Sequence, residues 1–173
     1  MTRVKIISGL LYPADRPELK GWAMDGMSAL YGEIERESPD YPFEFTDYYK
    51  AIAPALLRCF FTFKGLRHPG ELPDWKIAAI ALERASAQRE QGESRRVNID
   101  PGYLDGARVV LASTKDNAQR IYLRDNIYAE VTICHRKDGW EKFSYTFPDF
   151  KSGRYDSFWD IARRDWQRDI RGN

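Results

Sequence analysis

The stretch "LLRCFFTFKG", residues 56–65, has the pattern that decides the fold class. Alternate residues from Leu57 onward are apolar, and the positions between them hold a mixture that includes Arg58 and Lys64. A repeat of two residues is that of a β-strand, whose side chains point in turn to opposite faces of a sheet. The segment therefore predicts a strand with one strongly apolar face.

Strands and helices follow one another around this strand in the first hundred residues. An apolar run at residues 4–12 predicts a strand, and Val97 begins another. Apolar residues at helical spacing predict one helix from "ADRPE" to Gly32 and a second that begins in "HPGELPDW". Two prolines limit a strand within residues 34–45 to a sheet edge. The order strand–helix–strand–strand–helix–strand predicts a ferredoxin-like βαββαβ core at residues 1–100, within an α+β fold.

The remaining residues, 101–173, are predicted to extend this core with a C-terminal antiparallel β-meander and a terminal helix. The sequence "DN" at residues 125–126 and "DG" at residues 138–139 are typical of two-residue hairpin turns. Residues 103–113 fit either a helix or a strand. The mixed charges at the end of the terminal helix are typical of a solvent-facing surface. We expect residues 1–173 to form a single domain.

Charge and cysteine content narrow the class of protein. The 27 basic and 26 acidic residues leave a net charge of +1, which argues against non-specific nucleic-acid binding as the main function. Cys59 and Cys134 lie in apolar runs and predict buried thiols in a reducing compartment, so we expect a cytoplasmic protein. With only His68 and His135 as histidines, no zinc site and no haem are expected. The apolar N-terminal segment is too short to span a bilayer, so no membrane association is expected.

Polar residues collect in short segments next to the predicted strands, and these supply the candidate site. The candidate catalytic residues are Glu130 and Asp100, because a carboxylate can act as a general base. Lysine and arginine would hold an anion, tyrosine would stack, and aspartate would order polar groups or Mg²⁺. The candidate ligand-binding residues are Asp47, Tyr48, Asn98, Tyr103, Lys115, Asp116, Arg120, Tyr122 and Asp149.

Each of these segments also has a structural interpretation. The sequence "DPG" at residues 100–102 is typical of a turn, and the charges of residues 115–120 are typical of an exposed surface. A turn at residues 138–139 would place Glu130 opposite Phe147, among aromatic rings. A carboxylate buried there has to find a partner, reach water or be protonated with a raised pKa, which makes it a candidate for a functional role. The structural alternatives are that Glu130 lies on the solvent-facing side of the sheet or pairs with a structural arginine.

Five motifs together resemble one protein family. They are "PFEFTDYY" (residues 42–49), "VNIDPGYL" (97–104), "TKDNAQRIYL" (114–123), "IYAEVT" (127–132) and "TFPDF" (146–150). In this order they are similar to the domain of unknown function 4416 family, whose members often carry the automatic label "GTP-binding protein". The resemblance implies a single prokaryotic, cytoplasmic domain and no established activity. The chain departs from the family at residues 117–119, where Gln119 stands in place of the expected histidine.

Three functions remain open on the sequence alone. No phosphate-binding P-loop, G-x-x-x-x-G-K-[ST], occurs in the sequence. The first hypothesis is a protein that binds a small anionic ligand, such as a nucleotide or a phosphorylated metabolite, in a polar cleft. The second is an enzyme that uses a carboxylate base or Mg²⁺ in the same cleft. The third is an RNA-binding or protein-interaction module. The sequence predicts no oligomeric state for any of the three.

Overall fold

One antiparallel sheet forms the centre of the molecule in the computed structural model, which describes residues 3–45, 49, 51–89 and 94–172. In these ranges the sheet has nine strands, and four α-helices accompany it. The helices are α1 (Glu18–Tyr31), α2 (Leu72–Arg89), α3 (Pro148–Lys151) and α4 (Asp156–Arg171). The strands are β1 (Lys5–Pro13), β2 (Ile34–Glu37), β3 (Tyr41–Phe43), β4 (Leu56–Phe63), β5 (Asn98–Leu104), β6 (Arg108–Ser113), β7 (Ile121–Arg124), β8 (Ile127–Arg136) and β9 (Gly139–Lys142).

The order of the strands across the sheet is β2-β4-β1-β5-β6-β8-β7, with β3 paired to β4 and β9 paired to β8. The predicted combination of α-helices with an antiparallel sheet is therefore confirmed. The segment "LLRCFFTF" is β4, and it pairs with β1 from Ile7 to Pro13. The C-terminal meander is not a separate layer, because β6 joins it to β5 and makes the sheet continuous.

Helices cover both faces of the sheet. Residues of α1 and α2 share one buried apolar cluster with the strands, and residues of α3 and α4 share another. Phe61 belongs to the first cluster and Phe60 to the second, as expected for neighbours in a strand. Both rings are fully buried, so neither is available to stack on a base. None of the helices in the described ranges is long and apolar enough to cross a membrane.

Several local predictions are tested by the strand pairing. The hairpin at residues 125–126 is confirmed, since Asp125 and Asn126 both have positive φ between the paired residues Arg124 and Ile127. The strand alternative for residues 103–113 is confirmed and the helix alternative is wrong, because these residues end β5 and form β6.

The predicted register of the last hairpin is wrong. Arg136 pairs with Gly139, so the turn is made by residues 137–138 and Gly139 begins β9 with a φ of +116°. The strand then ends at Lys142, because the chain turns where Thr146 Oγ1 accepts a hydrogen bond of 2.8 Å from the backbone N–H of Phe143. Phe147 therefore does not pair with Glu130.

Two predictions about burial need correction. Cys59 is buried as expected, but Cys134 is only partly buried near the open end of its hairpin, and both are free thiols. The charged end of α4 is not simply a solvent-facing surface, because Asp165 is buried and binds Arg36 of β2. The helix is thus attached to the sheet edge by charges as well as by its apolar face.

Candidate functional site

The sheet opens between β5 and β6, and this opening creates the candidate site. The two strands pair only from Gly102 to Leu104. Residues 98–101 pair with β1 on one side, but they pair with no described residue of β6 on the other. Pro101 lies where the strands separate, and proline has no N–H to donate to a neighbouring strand. The "DPG" segment is therefore part of β5 and not the turn that the sequence suggested.

Side chains of α2 take the place of the missing strand partner. The backbone N–H of Ile99 donates to Glu83 Oε1 at 2.7 Å, and Ile99 O accepts from Lys76 Nζ at 2.8 Å. Glu83 and Lys76 are both buried and lie seven residues apart, so they occupy one face of the helix. The backbone N–H and C=O of Ile99 are thereby satisfied without a partner in β6.

A cavity of about 490 Å³ lies at this opening. Its walls bring together six of the predicted site residues, namely Asn98, Asp100, Lys115, Arg120, Glu130 and Asp149. The cations that line it are Arg58, Lys76, Arg95, Lys115 and Arg120, and the anions are Asp100, Glu130 and Asp149. Among the lining residues that the structure describes, five positive charges and three negative ones give an excess of positive charge.

Arg58 is a lining residue that is only 5% exposed. Its guanidinium makes only long contacts with the two carboxylates that face it. Its Nη1 lies 3.5 Å from Asp100 Oδ2, and its Nε lies 3.8 Å from Asp149 Oδ2. The Nε is buried and has no hydrogen-bond acceptor among the described residues. Burial works to lower the pKa of Arg58, but the charges of Asp149 and Asp100 outweigh it and raise the pKa, so the group is a cation.

The neighbours of Arg58 hold it in place. Its Cζ lies 5.0 Å from the ring centre of Phe43 and 5.7 Å from that of Phe60. On β1, Gly9 pairs with both Phe60 and Asp100, and a Cβ at this glycine would lie 3.1 Å from Arg58 Nη1. The missing side chain of Gly9 lets the guanidinium reach across β1 to Asp100.

Asp100 is held by three donors. Its Oδ2 accepts a hydrogen bond of 2.7 Å from Asn98 Nδ2 and faces Arg58, and its Oδ1 lies 3.5 Å from Lys76 Nζ. A carboxylate bound in this way fixes two cavity cations at a set distance from β5. The role of Asp100 as a general base stays a prediction.

Glu130 is buried at the other side of the cavity and has partners. Arg120 Nε donates to its Oε2 at 2.9 Å, and Gln119 Nε2 donates to the same oxygen at 3.1 Å. Arg120 Nη1 also donates to the backbone O of Lys115 at 3.1 Å, which holds the loop before β7. Of the alternatives that the sequence left open for Glu130, the structure shows the pair with an arginine. Gln119, at the position where the chain departs from the family pattern, contributes to the same group.

Asp149 closes the cavity beside Arg58. Its Oδ2 accepts a hydrogen bond of 3.1 Å from Tyr155 Oη. Burial and the charge of Asp149 raise the pKa of Tyr155, so the phenol keeps the proton that it donates. The sequence predicted Asp149 as a site residue, and the structure places it on the wall in the first turn of α3.

Three other predicted site residues, Tyr103, Asp116 and Tyr122, do not line the cavity. Tyr103 packs against the cluster on the α1 and α2 side, because it lies an odd number of residues from Asp100 on the same strand. Tyr122 is 56% exposed and contacts Tyr128, and Asp116 is exposed. Asp47 and Tyr48 lie outside the described residues.

Three lining cations were not predicted from the sequence. Arg58 and Lys76 sit within apolar segments, and a charge in such a segment is the signal that could have identified them. Arg95 reaches the cavity from the segment after α2, where Glu83 Oε2 accepts from its Nη1 at 2.8 Å. In the ranges that the structure describes, no group of three or more histidine, cysteine or acidic side chains is placed to hold a metal ion.

These features define the protein as an antiparallel sheet covered by helices on both faces, with a cationic cavity where two strands separate. The model of the family described as Domain of unknown function (DUF4416) matches residues 2–166, and the chain therefore belongs to this family. No curated protein and no solved structure matches the chain.

Proposed function

We propose that the protein binds a small anionic ligand, such as a nucleotide or a phosphorylated metabolite, in the cavity between β5 and β6. The observation that carries this proposal is Arg58, which lines the cavity and whose buried Nε has no acceptor among the residues that the structure describes. Most buried polar groups in proteins are hydrogen-bonded, so an unpaired one calls for a partner. A guanidinium presents several N–H groups in one plane, which suits a carboxylate or a phosphoryl group.

The charges of the wall support the same ligand class. Lys76 and Arg95 lie on the wall with Arg58, while Asp100 fixes Arg58 and Lys76 by contacts of 3.5 Å. An anion that enters would face cations already held in position, which lowers the entropy cost of binding. The volume of the cavity falls in the range of small-molecule sites, roughly 300–1,000 Å³.

We also propose that the first part of the chain has the ferredoxin-like topology. The strand order β2-β4-β1-β5 is antiparallel throughout, and α1 and α2 pack on the same face of it. Both features support this topology. A solved structure of a relative with these four strands in another order would contradict it.

A cytoplasmic location is a further part of the proposal. Cys59 and Cys134 are both free thiols, as in a reducing compartment. Fractionation of the native host, with detection of the protein by antibody, should find it in the soluble cytoplasmic fraction and not in the membrane or the culture medium.

Calorimetric titration with matched pairs of compounds tests the proposed binding. Nucleotides and sugar phosphates should bind, and the same compounds without phosphate should bind at least tenfold more weakly. Each titration is carried out once with Mg²⁺ and once without it. Binding should also raise the melting temperature, since a ligand at 100 times its Kd adds about 2.7 kcal/mol to the free energy of unfolding. Equal binding of phosphorylated and unphosphorylated members of each pair, or no binding by either, would contradict the proposal.

Variants of Arg58 locate the site. Arg58→Gln should weaken binding about tenfold or more, because a hydrogen bond to a charged group contributes about 1.5–3 kcal/mol. Arg58→Lys keeps the charge without the planar fork and should recover part of the affinity. Arg136→Gln is the matched control, since this exposed arginine pairs with Glu141 in the last hairpin, outside the cavity.

A further inference from the structure

The four phenylalanine rings that line the cavity fall into two groups. Phe43 and Phe150 are buried and belong to the apolar clusters, so the fold accounts for them. Phe147 and Phe45 also line the cavity, but Phe147 is 43% exposed and Phe45 is partly exposed. A simple anion would give the exposed rings nothing to contact.

Phe147 is an exposed ring on a fixed backbone. The residue before it, Thr146, is buried and donates from Oγ1 to Thr132 O at 2.7 Å, while Asp149 is buried two residues later. Among the aromatic side chains that the structure describes, Phe147 contacts none. An apolar ring held at the edge of a cationic cavity, without a partner ring, can receive a flat group from a ligand.

Phe45 adjoins the anion site through Phe43. Its ring centre lies 5.9 Å from that of Phe43, and Phe43 in turn lies under the guanidinium of Arg58. The guanidinium of Arg154 stacks on Phe45, with its Cζ at 4.9 Å from the ring centre. Arg154 is itself held by the backbone O of Pro42, to which its Nη1 donates at 3.0 Å. Arg154 therefore holds the ring of Phe45 in place, and Phe43 lies between this ring and Arg58, the cation that would bind the anion.

Resting on the proposed function, we propose that the ligand carries an aromatic ring close to its anionic group. Arg58 binds the anion, and Phe45 and Phe147 contact the ring. A nucleobase attached to a sugar phosphate has this chemistry, and so does a phosphorylated pyridine cofactor. The same experiment can tell the two apart.

Calorimetric titrations with four probes test the ring requirement. The probes are inorganic phosphate, ribose 5-phosphate, the nucleoside 5′-monophosphates and pyridoxal 5′-phosphate. At least one compound with a ring should bind about tenfold or more tightly than ribose 5-phosphate, because stacking of a base on an aromatic side chain has an effect of this size. If the nucleoside monophosphates bind more tightly than ribose 5-phosphate, the ring of the ligand is a nucleobase. If pyridoxal 5′-phosphate alone binds more tightly, the ring is a pyridine.

Phe147→Leu keeps an apolar side chain of similar bulk but removes the ring. This variant should lose most of the extra affinity that the wild type has for ligands with an aromatic ring. It should bind ribose 5-phosphate as tightly as the wild type does. Tyr122→Leu is the matched control, because it removes an exposed ring outside the cavity and should leave all affinities unchanged. The melting temperatures of both variants without ligand show that they fold.

The outcomes separate this inference from the proposed function. If ribose 5-phosphate binds as tightly as every ring compound, or if Phe147→Leu keeps the full extra affinity for ring compounds, the ring proposal is wrong while anion binding stands. If none of the four probes binds, or if Arg58→Gln binds them as the wild type does, the proposed function fails, and the ring proposal fails with it.

Discussion

At the scale of residues, Gly102 marks the last point at which β5 and β6 touch. A Cβ on this residue would lie 2.1 Å from the backbone O of Val110 and 2.8 Å from a methyl carbon of Leu111. The close approach of the two strands here, followed at once by their separation at Pro101, sets the end of the cavity. Any side chain at this position has to push backbone, which cannot rotate away as a side chain can.

Gly102→Ala is therefore expected to destabilise the fold by about 3 kcal/mol, the upper part of the range for forcing atoms into a packed core. Urea denaturation followed by circular dichroism measures the change. Gly21→Ala is the matched control, because no atom lies within 4 Å of a Cβ there and the residue is inside α1. It should stabilise the protein by about 0.5–1 kcal/mol. Equal stability of the Gly102 variant and the wild type would mean that the strands do not meet as described.

How far the sequence predicts the site depends on the residue. The sequence named Asp100 and Glu130, and both line the cavity, but it placed Asp100 in a turn and Glu130 opposite Phe147, and the structure shows neither. Tyr103 was misplaced, because the exact strand boundaries decide which face a side chain occupies and a shift of one residue reverses it. Arg58 was not predicted, because whether a charged residue in an apolar strand meets a cavity depends on the strands beside it.

At the scale of elements, α4 is attached to the edge of the sheet by a set of ion pairs. Arg36 of β2 binds Asp165 with both ends of its guanidinium, at 2.8 and 3.2 Å, and Arg168 Nη1 donates to the same carboxylate at 2.7 Å. One turn on, Asp169 accepts from the buried Nζ of Lys5 at 2.7 Å. The sequence predicted the helix correctly, because its aromatic residues repeat at helical spacing. Arg36 and Lys5, which attach the helix to the sheet, lie more than a hundred residues away in the chain, beyond the reach of any local pattern.

Because of these ion pairs, we expect the free energy of unfolding to fall as the pH is lowered. Burial works to raise the pKa of Asp165, but the hydrogen bond and charge of Arg36 and the charge of Arg168 outweigh it and hold the pKa below its usual value. A carboxyl whose pKa is lower in the folded state contributes stability above its unfolded pKa, about 3.9 for aspartate, and loses it as the pH falls through the folded value. Asp165→Asn should therefore be less stable than the wild type at pH 7 and lose less stability between about pH 5 and pH 2.

Urea denaturation across this pH range is the measurement, with Asp138→Asn in the exposed turn of the last hairpin as the control. The control should follow the wild type at every pH. A loss of stability on acidification that is the same for Asp165→Asn and the wild type would show that the pair does not act as described.

At the scale of the whole molecule, the strands of the continuous sheet were easier to predict from the sequence than the way in which they pair. Local patterns predicted most of the strands, the two long helices of the first hundred residues and the meander that follows them. They left residues 103–113 open between a helix and a strand, and they predicted one strand where β2 and β3 lie. They did not predict that β6 would leave β5 after three residue pairs, because pairing between strands depends on the packing of both sheet faces. The candidate site lies at this separation, so the part of the fold that forms the candidate site was the part that the sequence predicted least.

We propose that an anion entering the cavity supplies an acceptor for Arg58 Nε, which has none among the described residues. Nuclear magnetic resonance of the arginine Nε–H groups tests it directly, with the signal of Arg58 assigned by its loss in Arg58→Lys. We predict that titration with a nucleoside monophosphate, at constant ionic strength, moves this signal in a saturable way while the signal of Arg136 stays in place. A signal of Arg58 that does not move when the protein is shown by calorimetry to have bound the ligand would contradict the account.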